Sequence, residues 1–397
     1  MRAEGGGTGC AVVHSAASVH AAPGLQHREP VVICRGRVSV GCPHGPVPVD
    51  ADGGVVGPGL VDIHVHGAAG HDLTEPDPAA WHRVLDAHLH AGSTTVLATL
   101  ASTGPAGTAA ALATAARLLD GGLAPTLAGV HLEGPCLAET QRGAHEAGHL
   151  RTATEVLHEL TPLPTALRMV TLAPELPGAG TLISYLTGQG VRVSAGHSAA
   201  TPEDLARAQR LGLSHLAHLW SGQSTLTRPD LHRIPGLLEA SLASDGLTAE
   251  VIADGHHLPA ALLTIALRCF GPQRLCLVSD ATAGTGLAVG SAFRTGASRG
   301  RVHDGYAATE DRTSLCGSVT PLAVTTARMR ELTGAPAGDV VTMATATPAR
   351  AAGLYPRKGS LLPGADGDVV VLGPDLSVRT VILGGRPVTG EPRGGAR

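Results

Sequence analysis

Between residues 58 and 280 the chain returns again and again to one unit: a short apolar run, then a stretch with helical spacing. The apolar runs are PGLVDIHVHG (58–67), TTVLATL (94–100), TLAGVHLEG (126–134), LRMVTLAPE (167–175), VRVSAGHS (191–198), LSHLAHLW (213–220), AEVIADG (249–255) and RLCLVSD (274–280). Between them lie segments such as AAALATAARLLD (109–120), ATEVLHEL (153–160) and TPEDLARAQRLG (201–212). Near-continuous apolar runs are what strands buried on both faces require, and helices between them give a parallel sheet. About eight such units predict a closed (β/α)8 TIM-like barrel over residues 58–357.

The ends read differently. VVICRGRVSVG (31–41) alternates and turns, and residues 364–388 give two more short strands with Gly turns. Residues 29–57 and 358–397 are therefore expected to make a small β-sandwich domain from both chain ends. Residues 1–28, rich in Gly and Ala, read as a loose leader without the continuous apolar segment of a secretory signal.

Composition narrows the function classes. A hydrophobic content of 43% supports a large core, and 2% aromatics make it a core of Ala, Val and Leu. A net charge of −4 gives no basic surface for nucleic acid. No apolar run reaches membrane-spanning length. Lys358 is the only lysine, which excludes any metal site built on a barrel lysine. The seven cysteines are odd in number and lack a CxxC pair, so neither a zinc knuckle nor a disulfide framework is expected, and a reducing cytoplasm fits.

In a (β/α)8 barrel the reactive groups gather at the C-terminal ends of the strands. His64 and His66, two apart on a strand, project to one side, where two imidazoles are either separately hydrogen-bonded or bind a metal. Glu133, His197 and Asp280 end their runs, and LSHLAHLW carries His218, with His215 on the opposite face. His88 and His90 lie in a helical segment, where i and i+2 diverge, so that pair is not expected to form a site. Imidazoles and carboxylates suit zinc, with iron or another divalent ion as the alternative. Asp280 is placed to act as general base for a water and then as acid for a leaving group.

PGLVDIHVHG, the strand-end histidines and VSDA resemble the amidohydrolase superfamily. VHLEGP followed by RGAH, then TLAPE, SAGHS, HRIPG, ADGHH and LVSDATA resemble its N-acetylglucosamine-6-phosphate deacetylase branch, in order from roughly residue 30 to 390. The resemblance implies Glu133, His197 and His218 as main metal ligands, and His64 and His66 as a second metal position that some members fill. It implies Asp280 as catalytic acid/base and His145 as the group that helps polarise the acetyl carbonyl, with Ala144 beside the sugar. Arg233 and His257 match groups that hold the phosphate, and Leu315, Cys316 and Gly317 match a substrate-contacting loop. Ser221 and Gly222 stand where the family has an Asn-Ala pair near the phosphate. The expected partner is a small-molecule amino-sugar phosphate, and the expected assembly a homodimer with one or two divalent ions per subunit. Departures touch the pocket: Ser221-Gly222-Gln223 replace Asn-Ala-Met, residues 224–231 are extra, Arg228 rivals Arg233, and Cys136 and Ala68-Ala69 replace an aromatic and glycines. They leave open the galactosamine epimer or another N-acyl amino sugar. A different amidohydrolase reaction and a non-catalytic sugar-phosphate-binding protein are the remaining alternatives.

Overall fold

The structure, a computed structural model, describes residues 9–389. Eight parallel strands follow one another around a barrel in chain order: β1 (Leu60–Val65), β2 (Ser93–Leu100), β3 (Leu127–Glu133), β4 (Leu167–Leu172), β5 (Arg192–Ala195), β6 (His215–Leu216), β7 (Thr248–Val251) and β8 (Leu275–Leu277). The ring closes just beyond β8. There Val65 pairs in parallel with Ala281, the Asp280 N–H donates to the His64 carbonyl at 3.0 Å, and the His66 N–H donates to the Ala281 carbonyl at 2.7 Å. Closure thus clamps the segment that carries Asp280 against the segment that carries His64 and His66.

Local chemistry sets the βα units. Thr152 and Thr201 cap their helices with reciprocal bonds from Glu155 and Asp204, and Asp77 caps the Pro78–His90 helix. Leu, Val and Ala from the outer strand faces and the helices make the main core, while Val61, Ile63, Leu97, Met169, Cys276 and Val278 fill the barrel's interior. No helix among the described residues is long and apolar enough to cross a membrane.

Two sheets from the chain ends form the sandwich. One holds Arg37–Ser39, Val31–Cys34, Ala11–His14 and Val47–Asp50; the other holds Arg386–Pro387, Val378–Leu383, Val369–Leu372, Val55–Pro58, Ser18–Ala22 and Leu25–His27. Their inward residues, among them Val13, Val19, Ile33, Val56, Val369 and Ile382, share one core. The boundary differs from expectation. Residues 11–27 are not a loose leader but supply three of these strands, because Ala11, Val13, Val19 and Ala21 alternate inward. Such small side chains leave a faint pattern in a Gly/Ala-rich stretch. Residues 1–8 and 390–397 lie outside the described residues.

A three-stranded sheet (Ala292–Thr295, Ser298–Val302, Ala307–Thr309) is inserted between β8 and the last helices, over the mouth of the barrel. The reading of residues 213–220 as one strand also needs correcting. Only His215–Leu216 pairs, and His218 stands just past the strand's end.

Candidate active site

Glu133, the last residue of β3, is the hub of the barrel mouth. Its Oε1 lies 2.8 Å from His218 Nε2, 3.1 Å from His197 Nε2 and 3.4 Å from His64 Nε2. Its Oε2 lies 3.2 Å from His145 Nε2 and 3.3 Å from His66 Nε2. Asp280 closes the cluster, with Oδ1 3.2 Å from His66 Nε2 and 3.7 Å from His64 Nε2. All seven side chains are buried. Burial pushes the Glu133 carboxyl up, but His64, His197 and His145 outweigh it and hold it well below the usual carboxylate range. For Asp280, likewise, the hydrogen bond and charge of His66 and the charge of His64 overcome burial and keep the carboxyl ionised.

The outer ring nitrogens reveal which imidazoles can bind a metal. His197 Nδ1 donates to the Gln141 carbonyl at 2.9 Å and His218 Nδ1 to the Ser221 carbonyl at 3.2 Å. A carbonyl only accepts, so both protons sit on Nδ1 and both Nε2 lone pairs face Glu133. His64 Nδ1 donates to Glu250 Oε2 at 2.9 Å, leaving His64 Nε2 fully buried without a hydrogen-bond partner. A buried acceptor left in this state is costly unless a cation completes it. His145 is the opposite tautomer: its Nδ1 accepts the Ser102 backbone N–H at 3.3 Å, so its Nε2 carries the proton. Burial lowers its pKa and keeps it neutral. His145 is therefore a hydrogen-bond donor, not a ligand. The donor set fits a divalent ion at Glu133, His197 and His218, and a second group of His64, His66 and Glu133 has the same capacity.

Glu250, on β7, escaped the sequence reading. It is fully buried and accepts from His64 Nδ1, from His215 Nε2 at 3.0 Å and from the His218 backbone N–H at 3.1 Å. His215 is thus not turned away from the centre but belongs to the scaffold beneath it. The signal was present, since a carboxylate in an apolar strand needs partners. Gln141 had no such signal, because it acts through its backbone carbonyl, and Ser102, whose backbone N–H and Oγ both meet His145 Nδ1, sits in a loop with no distinguishing pattern.

One cavity opens over this floor. Ala144, Ser221, Gly222, His257, Leu315 and Gly317 line it, together with Thr282 and with Thr295 and Ser298 of the inserted sheet. Gly222 adopts φ +59°, and a Cβ there would stand 2.5 Å from His197 Nδ1, so the loop passes directly over the His197–Gln141 bond. His257 donates from Nδ1 to Asp254 at 2.7 Å. Two expected contacts are missing. Cys316 is fully buried and packs with Ala283, Phe293, Val302 and Ala307, away from the cavity, because the flanking residues of its loop take the inward positions. Arg233, like its rival Arg228, is exposed on the 225–234 segment, which a Thr227–Ile234 bridge folds outward. Among the described residues no arginine or lysine lines the cavity.

A barrel mouth with a carboxylate hub, inward-facing imidazoles and one further acid defines a class of metal-dependent hydrolases. The amidohydrolase family matches residues 55–388, and the chain belongs to it. Within that family the chain is similar to N-acetylgalactosamine-6-phosphate deacetylase of Escherichia coli O157:H7, at 32% identity over 86% of this chain and 90% of that one. It is similar to N-acetylglucosamine-6-phosphate deacetylase of Bacillus subtilis at 30% identity, covering 83% of each. A solved point mutant of the N-acetyl-D-glucosamine-6-phosphate deacetylase of Mycobacterium smegmatis, in complex with N-acetyl-D-glucosamine-6-phosphate, superposes with a TM-score of 0.85 at 30% identity, over 95% of this chain and 99% of that one.

Proposed function

We infer that the chain hydrolyses the acetamide of N-acetylglucosamine 6-phosphate, giving glucosamine 6-phosphate and acetate. The observation that carries this is the presence of two complementary groups in one cavity. His145 offers a proton donor and Asp280 an ionised carboxylate, both lining the cavity with Glu133, His197 and His218.

Glu133, His197 and His218 would hold a divalent ion, Zn2+ by their donor types, with Fe2+ the next candidate; His64 and His66 would hold a second. Such an ion polarises a carbonyl and makes a bound water acidic near neutral pH. The protein does the rest. His145 Nε2–H donates to the acetyl oxygen as negative charge develops on it. Asp280 takes the proton of the attacking water and then hands it to the amine as the C–N bond breaks. Ala144, Ser221, Gly222, Leu315 and Gly317 surround the sugar, and His257 faces the phosphate end.

Arg233 supplies the missing cation from outside its own cavity. Leu226, Leu231 and Ile234 are exposed beside it, an apolar fringe suited to a second copy of the chain, so a homodimer in which Arg233 reaches the neighbouring cavity accounts for both features. We place the enzyme in the cytoplasm, consistent with seven cysteines joined by no disulfide.

A second reading has its own support. Ser221-Gly222-Gln223 changes the cavity wall, and the E. coli relative is named for the galactosamine epimer. The test is acetate release from both 6-phosphate epimers, with metal content measured on the same preparation. Release from N-acetylglucosamine 6-phosphate is the expected outcome. Preference for the epimer would replace the substrate but keep the chemistry, and release from neither with metal bound would overturn the assignment.

A further inference from the structure

Three cysteines, Cys10, Cys34 and Cys42, meet in the sandwich, away from the barrel mouth. Cys10 directly precedes Ala11–His14. Ala11 pairs antiparallel with Ile33, which brings Cys34 alongside Cys10. Ala11 also pairs in parallel with Val47, and the loop leading to Val47 carries Cys42. One donor atom from each residue lies within 4.8 Å of the other two. Sulfurs sharing one tetrahedral ion at a bond length of roughly 2.3 Å stand about 3.8 Å apart, so small side-chain rotations close the set.

We propose that Cys10, Cys34 and Cys42 form a three-thiolate site for a soft or borderline metal ion, separate from the active centre. Several features point to a ligand rather than to packing. Cys34 and Cys42 stand outside the apolar core of the sandwich. Cys34 and Cys42 are only half-buried, which leaves an entry path, while Cys10 is closed off behind them. The Arg35 backbone N–H donates to Cys10 Sγ at 3.3 Å, the kind of bond that stabilises negative charge on a ligating sulfur. The tight reversal at Arg35 (φ +52°) and Gly36 (φ +75°) aims that amide at the sulfur. With only sulfur donors in the group, the site selects ions such as Zn2+ or Cu+ and rejects Mg2+ and Ca2+. Each thiol loses its proton to bind. Loading therefore releases protons. A bound ion would tie the start of the chain to the hairpin and to the loop before the edge strand.

The experiment is titration of the reduced full-length protein with Cd2+, followed by the ultraviolet sulfur-to-cadmium charge-transfer band and by bound-metal analysis. The nitrogen and oxygen donors of the barrel cannot give that band. The expected result is a saturating band and one more equivalent of cadmium than in the triple variant Cys10→Ser/Cys34→Ser/Cys42→Ser, with deacetylase activity unchanged. Cys34→Ser alone, at a half-buried position outside the apolar core, is expected to lose most of the band. Zn2+ is expected to slow alkylation of Cys34 and Cys42 but not of Cys269, which is equally half-buried on a distant helix. No band in the reduced parent, or an undiminished band in either variant, would overturn the site.

Discussion

The floor and the rim of the cavity are made in opposite ways. The floor is carried mainly on strand ends, with His145 supplied by the loop after β3, and its working side chains are gripped from behind: His64 by Glu250, His197 by the Gln141 carbonyl, His218 by the Ser221 carbonyl, His145 by Ser102. The rim is carried on loops and an inserted sheet. Its residues are small or half-exposed, and no cationic Arg or Lys of the described chain reaches it. The difference separates chemistry from selectivity. Barrel closure fixes ring nitrogens and carboxylates as tightly as it fixes the backbone. A rim side chain can change without moving a strand, provided that the backbone stays in place where, as at Ser221 and Gly222, it touches His218 and His197.

The largest effect belongs to the floor. Asp280→Asn keeps the volume and removes the proton acceptor, so kcat is expected to fall about 10³-fold with bound metal unchanged. A variant within a few-fold of the parent would take Asp280 out of the proton transfers. Next comes the layer beneath. Glu250→Gln leaves one acceptor for His64, His215 and the His218 amide, and a loss of roughly 10- to 100-fold in metal retention or activity is expected. Dialysis against a chelator, followed by metal analysis, measures it. Full retention would mean that the strands alone position the ligands.

A third expectation concerns stability at the floor's edge. His88 Nε2 donates to the Gly67 carbonyl at 3.1 Å, directly after His66, and burial pushes its pKa down to about 4. Unfolded, it titrates near 6.5. Below that pH the unfolded chain takes up a proton that the folded chain refuses until about 4. Stability is therefore complete above 6.5 and declines as pH falls through this window, by about 2 kcal/mol at pH 5. Denaturant unfolding at pH 7 and pH 5 should show this decline in the parent and a flatter one in His88→Gln. Equal slopes would assign the acid sensitivity elsewhere.

The same division governs what the sequence disclosed. The barrel was legible because eight apolar runs alternate with helices, and the floor was legible because Glu133, His197 and Asp280 end those runs and His218 lies within one. His66 and His64 were visible as a pair, and the structure adds that the unpartnered His64 Nε2 turns inward. Glu250 was overlooked because its run reads as plain strand. The strands of residues 11–27 and the inserted sheet were missed because small side chains and frequent Gly blur the period-2 pattern. Cys316 was carried over by motif, yet a motif cannot tell which of three neighbouring residues turns inward. The convergence of Cys10, Cys34 and Cys42 was invisible to spacing, since strand register rather than sequence proximity creates it.

The smallest expected effect tests the rim. Arg233→Ala should raise KM for the 6-phosphate substrate about tenfold with kcat little changed, the loss of one charged contact that holds ground and transition state alike. Arg228→Ala, at the neighbouring exposed position, separates the two arginines. The informative experiment mixes variants. If Arg233 serves the neighbouring cavity, a dimer of one Asp280→Asn chain and one Arg233→Ala chain contains a single site with Asp280 intact and a partner that still carries arginine. That site should recover the parent KM. If Arg233 folds back over its own cavity, the only site with an intact Asp280 lacks its arginine, and KM stays raised. Recovery would make the rim a property of the dimer while the floor remains a property of one chain. A KM that Arg233→Ala leaves untouched would leave phosphate recognition to His257 and the loop amides of the chain itself.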